Sequence, residues 1–406
     1  MVTEQLPRPT KKCAKINFIL MRGIYRPYFF FLILLLSSLF TLFTAPAYAI
    51  RLIPVRIIFK ISGQLNKPSD VSVSKNGLIY VVDGVNNKIK IFDKNGSFVS
   101  SFGKQGSGRG EFSQPLGIDL DDAGKVYIAD SGNQRVQIFS ATGGFVDEIK
   151  LPASNGHGAD PTDVAIDNVN NKCYISDNDN HRILAYDLAK LTLIETYGGR
   201  GTGRDRFRYP FLMALGKKQN LYVVDVINTR VQVLSSEGLF VSEIGGWGVE
   251  KGEFFRPKGV AINKHNRVYV GDSYTGVIQV FESSGEFYGA LGNPVTGKVQ
   301  KFRTPMGVFV DHNNRLYVVE TLANKVSVYQ LEGLAERFQP GTQYFQIDPP
   351  RRLSYNLIIP SPLTGEGKGG GGKTSVFSAI SYSPSPLSPP ARGGERGCRT
   401  ASLGGF

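Results

Sequence analysis

The residues of this chain that could do chemistry recur at a fixed interval. Asp83, Asp130, Asp177, Asp225, Asp272 and Glu320 follow one another at 47 or 48 residues. Asn86, Asn133, Asn180 and Asn228 stand three residues after four of these acids. Lys88, Arg135, Arg182, Arg230 and Lys325 stand five residues after five of them. An acid, an amide and a base at this spacing suit either a ring of ionic sites or a capped turn with a local ion pair. Six near-copies favour the second reading, since a unit repeated in every copy serves the scaffold. The fifth copy departs, with Thr275 and Val277 in place of Asn and Arg, and its turn is expected to be the least buttressed.

Other candidates occur once or twice. Asp70 and Asp163 are each two residues after a repeated proline, where the other copies carry Gly117, Leu212, Gly259 and Gly307. They could bind a divalent ion, although such an ion takes several oxygen or nitrogen ligands and two carboxylates are few. Arg200, Arg204, Arg206 and Arg208, beside Tyr209 and Phe211, could serve backbone contacts and stacking or form a solvated loop. Trp247, the sole tryptophan, could anchor a partner or seal a gap between two sheets. His157, His181, His265 and His312 read as exposed loop histidines with no nucleophile arranged around them. Cys13, Cys173 and Cys398 have no zinc or haem spacing, and Cys173 replaces an apolar residue of the other copies. Gly103, Gly106, Gly108 and Gly110 imitate a phosphate loop, but no helix follows them.

The elements that position these residues follow from the same period. Tyr80, Tyr127, Tyr174, Tyr222, Tyr269 and Tyr317 mark it, and so do Pro68, Pro115, Pro161, Pro210, Pro257 and Pro305. Each unit parses into four short strands: one after the proline, one carrying the tyrosine, an alternating one such as Val136-Gln137-Ile138-Phe139, and a looser fourth such as 98–102. Four antiparallel strands per 47 residues predict an all-β fold, a six-bladed β-propeller of four-stranded blades. The sixth unit lacks a fourth strand, while residues 57–63 form an orphan strand ahead of the first. The N-terminal strand is therefore expected to close the ring and remove a free edge.

The stretch FGKQGSGRGEFSQPLGIDLDDAGKVYIADSGNQRVQIF, Phe102–Phe139, resembles the NHL repeat, and it recurs as YGGRGTGRDRFRYP and IGGWGVEKGEFFRP. The resemblance spans about residues 55–335. It implies the propeller fold but no single task, because this fold hosts unrelated functions. Some six-bladed propellers are metal-dependent lyases or lactonases with a site at the mouth of the central channel. The amidating lyases similar to this fold use several histidines there, and no matching set occurs in this chain. Some animal NHL propellers bind RNA. The expectation is a binding or scaffolding module for a protein partner or an envelope glycan, acting as a monomer with no cofactor. The alternative is a lyase or lactonase holding a divalent ion in the channel, on Asp70 and Asp163.

The two ends carry most of the charge. The net charge is +13 overall, +5 in residues 1–49, +4 in 50–335 and +4 in 336–406. The central region is thus only mildly basic, and nucleic acid is not the expected partner. Residues 28–44 are uncharged and apolar, follow several Lys and Arg residues, and precede Ala47 and Ala49 in an A-x-A arrangement. That pattern predicts a signal peptide over 1–49, with Met21 an alternative start, and export to the periplasm or beyond the cell. The alternative is an uncleaved membrane anchor at 28–44. Residues 336–406 are rich in Pro, Gly and Ser and are expected to be a disordered tail.

Overall fold

Strand-forming residues punctuated by Gly-containing turns give a chain of short strands throughout residues 50–154 and 156–331, which the computed structural model describes. The candidate export segment, Cys13, Cys398 and the Pro/Gly/Ser-rich tail lie outside those residues. Among the described residues no helix is long and apolar enough to cross a membrane.

The second repeat shows how a blade is made. Its strands are Pro115–Leu120, Val126–Asp130, Arg135–Phe139 and Phe145–Lys150, paired antiparallel in that order from the inside outward. Proline at the start of the inner strand has no N–H to leave unpaired. The register shifts just after it, between Pro115 and Ile118. The second and third strands are buried at every position, because neighbouring sheets cover both of their faces. The outer strand is largely exposed. The marker tyrosines are all buried, from Tyr80 to Tyr317.

Six such sheets form a ring. Each apolar cluster joins two consecutive blades, such as Tyr222, Val231 and Ile244 of blade 4 with Val260, Val270 and Phe281 of blade 5. Equivalent clusters fill the seams between blades 5 and 6, 2 and 3, 6 and 1, 3 and 4, and 1 and 2. The chain is thus an all-β six-bladed propeller, as the repeat count predicts. Cys173 is a fully buried member of the seam between blades 2 and 3.

The N-terminal strand closes the ring and also starts earlier than its sequence suggests. It covers Leu52–Ile61, and Val55 to Ile61 pair antiparallel with Leu331 to Val326 of blade 6. Its first residues, Leu52–Pro54, pair parallel with 290–292 in the outer strand of blade 5. One strand therefore stitches two blades into a single nine-stranded sheet. Both edges it covers would otherwise present unpaired amides and carbonyls.

The glycine segments are interblade linkers. Phe112, Phe207 and Phe254 each turn inward from a linker and are fully buried. Gly103, Gly198 and Gly245 have positive φ, and a Cβ at any of them would come within 2.6 Å of the linker phenylalanine ring. Glycine is needed there both for the turn and for the ring's approach. Phe254→Ala should lower stability by about 3–5 kcal/mol, the usual range for a deleted core aromatic. Leu239→Ala, at a position 67% exposed, should change it by no more than about 0.5 kcal/mol. Urea unfolding midpoints of the two variants against the parent check this.

Candidate functional site

The repeated acids build the turns. Asp130 accepts the backbone N–H of Ser113 at 2.7 Å, Asn133 Nδ2 at 2.9 Å and Arg135 Nε at 2.9 Å. Asp225 repeats this with Arg208 N, Asn228 and Arg230, and Asp177 with Asp160 N, Asn180 and Arg182. Glu320 accepts from Arg303 N, Ser327 and Lys325. All six acids are buried and each ties its blade to the linker ahead of it. In blade 1 the base is not the one the spacing suggests: Asp83 pairs with Lys90 at 3.0 Å, while Lys88 is exposed. Lys90 lies on the same strand two residues further on, so its stem reaches the same carboxylate from inside. The fifth turn, expected to be weak, is held otherwise. Asp272 accepts four backbone amides, those of Phe255, Arg256, Tyr274 and Thr275.

A second set of carboxylates lines the inner strands and joins blades across their seams. Asp70 of blade 1 accepts the N–H of Ile118 in blade 2 at 3.1 Å. Asp163 of blade 3 accepts that of Met213 in blade 4 at 2.6 Å. Asp119, which the sequence reading passed over, does the same from blade 2 to Ile166 of blade 3 at 2.9 Å. Its equivalents are Ser72, Ala165, Ala214, Ala261 and Phe309, so its singularity was the available signal. A Cβ on Gly117 would lie 2.3 Å from Asp163 Oδ1, and one on Gly307 2.5 Å from Asp70 Oδ1. The acids thus occupy space that glycine leaves in the neighbouring blade.

Burial raises the carboxyls of these residues, to about 8 for Asp70 and about 6 for Asp119. Asp163 is raised well above the ordinary range, by burial first and then by the charge of Asp70. Asp163 Oδ1 is buried without a hydrogen-bond partner among the described residues. No group of three or more His, Cys, Asp or Glu able to hold a metal occurs among them. Two carboxylates, each already bonded to an amide, do not match the ligand count of a divalent ion.

The other candidates lie on one face. Pro115 pairs with Asp130, Asp130 with Arg135, and Arg135 with Lys150, so the linkers, the acids and the second-to-third turns share one end of the blade. On this linker face Gln105, Arg200 and Trp247 are equivalent, each bridging to its linker phenylalanine. Trp247 is 76% exposed and seals no gap. The arginine cluster divides. Arg206 donates to Gly198 O at 3.0 Å, and Arg204 lies over the Phe240 ring at 5.1 Å. Arg200 is exposed and Arg208 half-buried, and neither makes a salt bridge among the described residues.

His181 is not an exposed loop histidine. It is 7% exposed, and its Nδ1 accepts the N–H of Tyr209 at 3.1 Å. It occupies a left-handed position (φ 57°) at which Asn87 and Asn324 cap Gln114 and Lys67 in the same way. Imidazole here replaces an asparagine oxygen as the interblade acceptor. Burial and the charges of Arg200 and Arg208 push its pKa down, which favours the neutral form that such acceptance needs.

Lys258 is the other residue the sequence reading missed. It lies on the inner strand of blade 5, where the equivalents Ser69, Leu116, Thr162, Phe211 and Met306 are all uncharged. That outlier was the readable signal. Its Nζ sits 4.0 Å from the Phe211 ring centroid in blade 4. Burial, then the charge of Arg256, lowers its pKa to about 8.

Comparison with known proteins agrees with this architecture. A family model described as 6-bladed beta-propeller matches residues 62–160 and 122–198. A streptogramin B lyase structure is similar with a TM-score of 0.51 and 14% identity, over 68% of this chain and 97% of that one. A structural genomics protein of unknown function from Bacteroides thetaiotaomicron gives a TM-score of 0.52 and 14% identity, over 68% and 72%. At that identity the likeness is one of fold alone. No curated protein matches the sequence.

The channel carboxyls give the protein a pH dependence of definite sign. Each holds its proton more tightly folded than unfolded, so its contribution is complete below the ordinary carboxylate range near pH 4. It is lost as pH rises through about 6 for Asp119 and about 8 for Asp70. The urea midpoint should therefore fall between pH 5 and pH 9. Asp70→Asn keeps an acceptor for Ile118 and cannot ionise, so its midpoint should fall less over the same interval.

Proposed function

We propose that the chain is an exported NHL-type propeller that acts as a binding or scaffolding module for a protein partner in the cell envelope, engaging it through the linker face. One observation carries this reading. At a position where the equivalent loops hold Gln105 and Arg200, the chain places a tryptophan that stays 76% exposed. A large aromatic left mostly exposed by its own fold is suited to burial by another molecule. The tilted ring pair Phe255–Tyr274, centroids 4.1 Å apart with Tyr274 46% exposed, extends the aromatic surface on the same face. Arg200 and Arg208, in the next linker along and without a salt bridge among the described residues, supply a charged rim suited to an acidic partner surface. The export pattern of residues 1–49 favours a periplasmic or extracellular partner, protein or envelope glycan, over nucleic acid.

A photoreactive residue at position 247 should give one discrete adduct in intact cells. Replacing Arg200 and Arg208 together with alanine should abolish that adduct while leaving the unfolding free energy within about 0.5 kcal/mol of the parent. Loss of the adduct with a lowered midpoint, or an adduct insensitive to both arginines, would remove the linker face from consideration.

The competing reading is a metal-dependent lyase or lactonase with its site at the channel mouth. Its one support in the geometry is the unpartnered Asp163 Oδ1. Elemental mass spectrometry of the purified full-length chain decides between them. The binding reading expects no retained divalent ion after calcium and zinc are offered. One tightly held ion per chain, lost on replacing Asp70 and Asp163 with alanine, would favour the enzyme.

A further inference from the structure

Lys258 is the one cation on the channel-lining strands placed at the first position after the repeated proline. It is half-buried, and its ammonium makes no hydrogen bond or salt bridge among the described residues. It lies instead over the face of Phe211, 4.0 Å from the ring centroid. A ring face supports a cation but leaves its N–H donors unused. Arg256, two residues earlier on the same rim, is close enough for its charge to act on Lys258. Its guanidinium makes no salt bridge among the described residues either. The reason lies in the fifth turn. Asp272 bonds the backbone N–H of Arg256 and divides its two oxygens among four amides, so it is not offered to the guanidinium. In blades 2, 3 and 4 the corresponding acid holds an arginine of its own blade. Blade 5 has Val277 at that position, and Arg256 and Lys258 on its inner edge make no salt bridge among the described residues.

Two neighbouring cations, half out of water and with no salt bridge among the described residues, repel each other and favour an anion that enters between them. We infer that Lys258 and Arg256, backed by the Phe211 ring, form a seat for an oxyanion group, a phosphate or carboxylate borne by a small solute, at the linker-face mouth of the channel. The seat is independent of the protein-docking surface at Trp247. An arginine suits such a group by its planar fork and a lysine by its point charge.

The probe is pyridoxal 5′-phosphate, an aldehyde that carries its own phosphate, offered in limiting amount to the purified full-length chain. The lysine amine adds to the aldehyde carbon and water leaves. Borohydride then delivers hydride to the imine carbon, and peptide mapping locates the resulting secondary amine. Lys258 should be labelled about tenfold faster than exposed lysines such as Lys94 and Lys125, and pyridoxal without phosphate should lose that preference. Arg256→Gln, with an unchanged unfolding midpoint, should weaken the preference about tenfold, equivalent to about 1.4 kcal/mol. Inorganic phosphate and citrate, compared with chloride at equal ionic strength, separate a phosphate seat from a carboxylate seat by which protects. Labelling of Lys258 no faster than the surface lysines, equal labelling by pyridoxal, or protection no better than chloride gives would each overturn the inference.

Discussion

No blade of this protein can bury its own faces. In blade 2 the second and third strands are buried at every position, and the cover for their apolar residues comes from the neighbouring sheets of the ring. Every seam therefore depends on the two blades that make it, and the set is complete only when the last blade meets the first. The N-terminal strand satisfies that condition by pairing with both blade 6 and blade 5. Closure here combines a ladder of main-chain hydrogen bonds between residues 55–61 and 326–331 with the apolar seam between blades 6 and 1.

Polar groups follow the same rule of reaching into the neighbour. Asp70, Asp119 and Asp163 each accept an inner-strand amide of the following blade. Asn87, His181 and Asn324 do so at the linkers. The inner strands lie at the edge of their sheets, so their outward amides need acceptors from outside the ladder. Carboxyl oxygens supply such acceptors; burial shifts all three groups upward, and the amide bonds they accept oppose that shift. The acids that most resemble a catalytic set thus have a structural use, and the glycines opposite them make room for it.

What remains for recognition lies where the repeat is broken. Trp247 replaces a polar linker residue, and Lys258 replaces an uncharged one at the channel. Val277 replaces the arginine that would have engaged Asp272. All three belong to blade 5 or the linker leading into it. A repeated scaffold fixes most positions by packing, so a departure that leaves a side chain exposed or unpaired is where selection for a partner can act.

Much of this was legible in the residues alone. The tyrosine and proline periods determined the number of blades. The orphan strand before the first repeat determined how the ring closes, because a strand missing at one end and present at the other has one economical use. The acid, asparagine and base of each repeat were readable as a turn, since capping depends on local spacing. Other features depended on contacts between residues distant in sequence. Lys90 rather than Lys88 reaching Asp83, the burial of His181, and the extension of the first strand onto blade 5 were of this kind. So were the exposure of Trp247 and the seating of the Lys258 ammonium on the Phe211 ring. A period in sequence reports what every blade shares; only the assembled ring brings one blade's side chains against the next blade's backbone and decides which of them are used up.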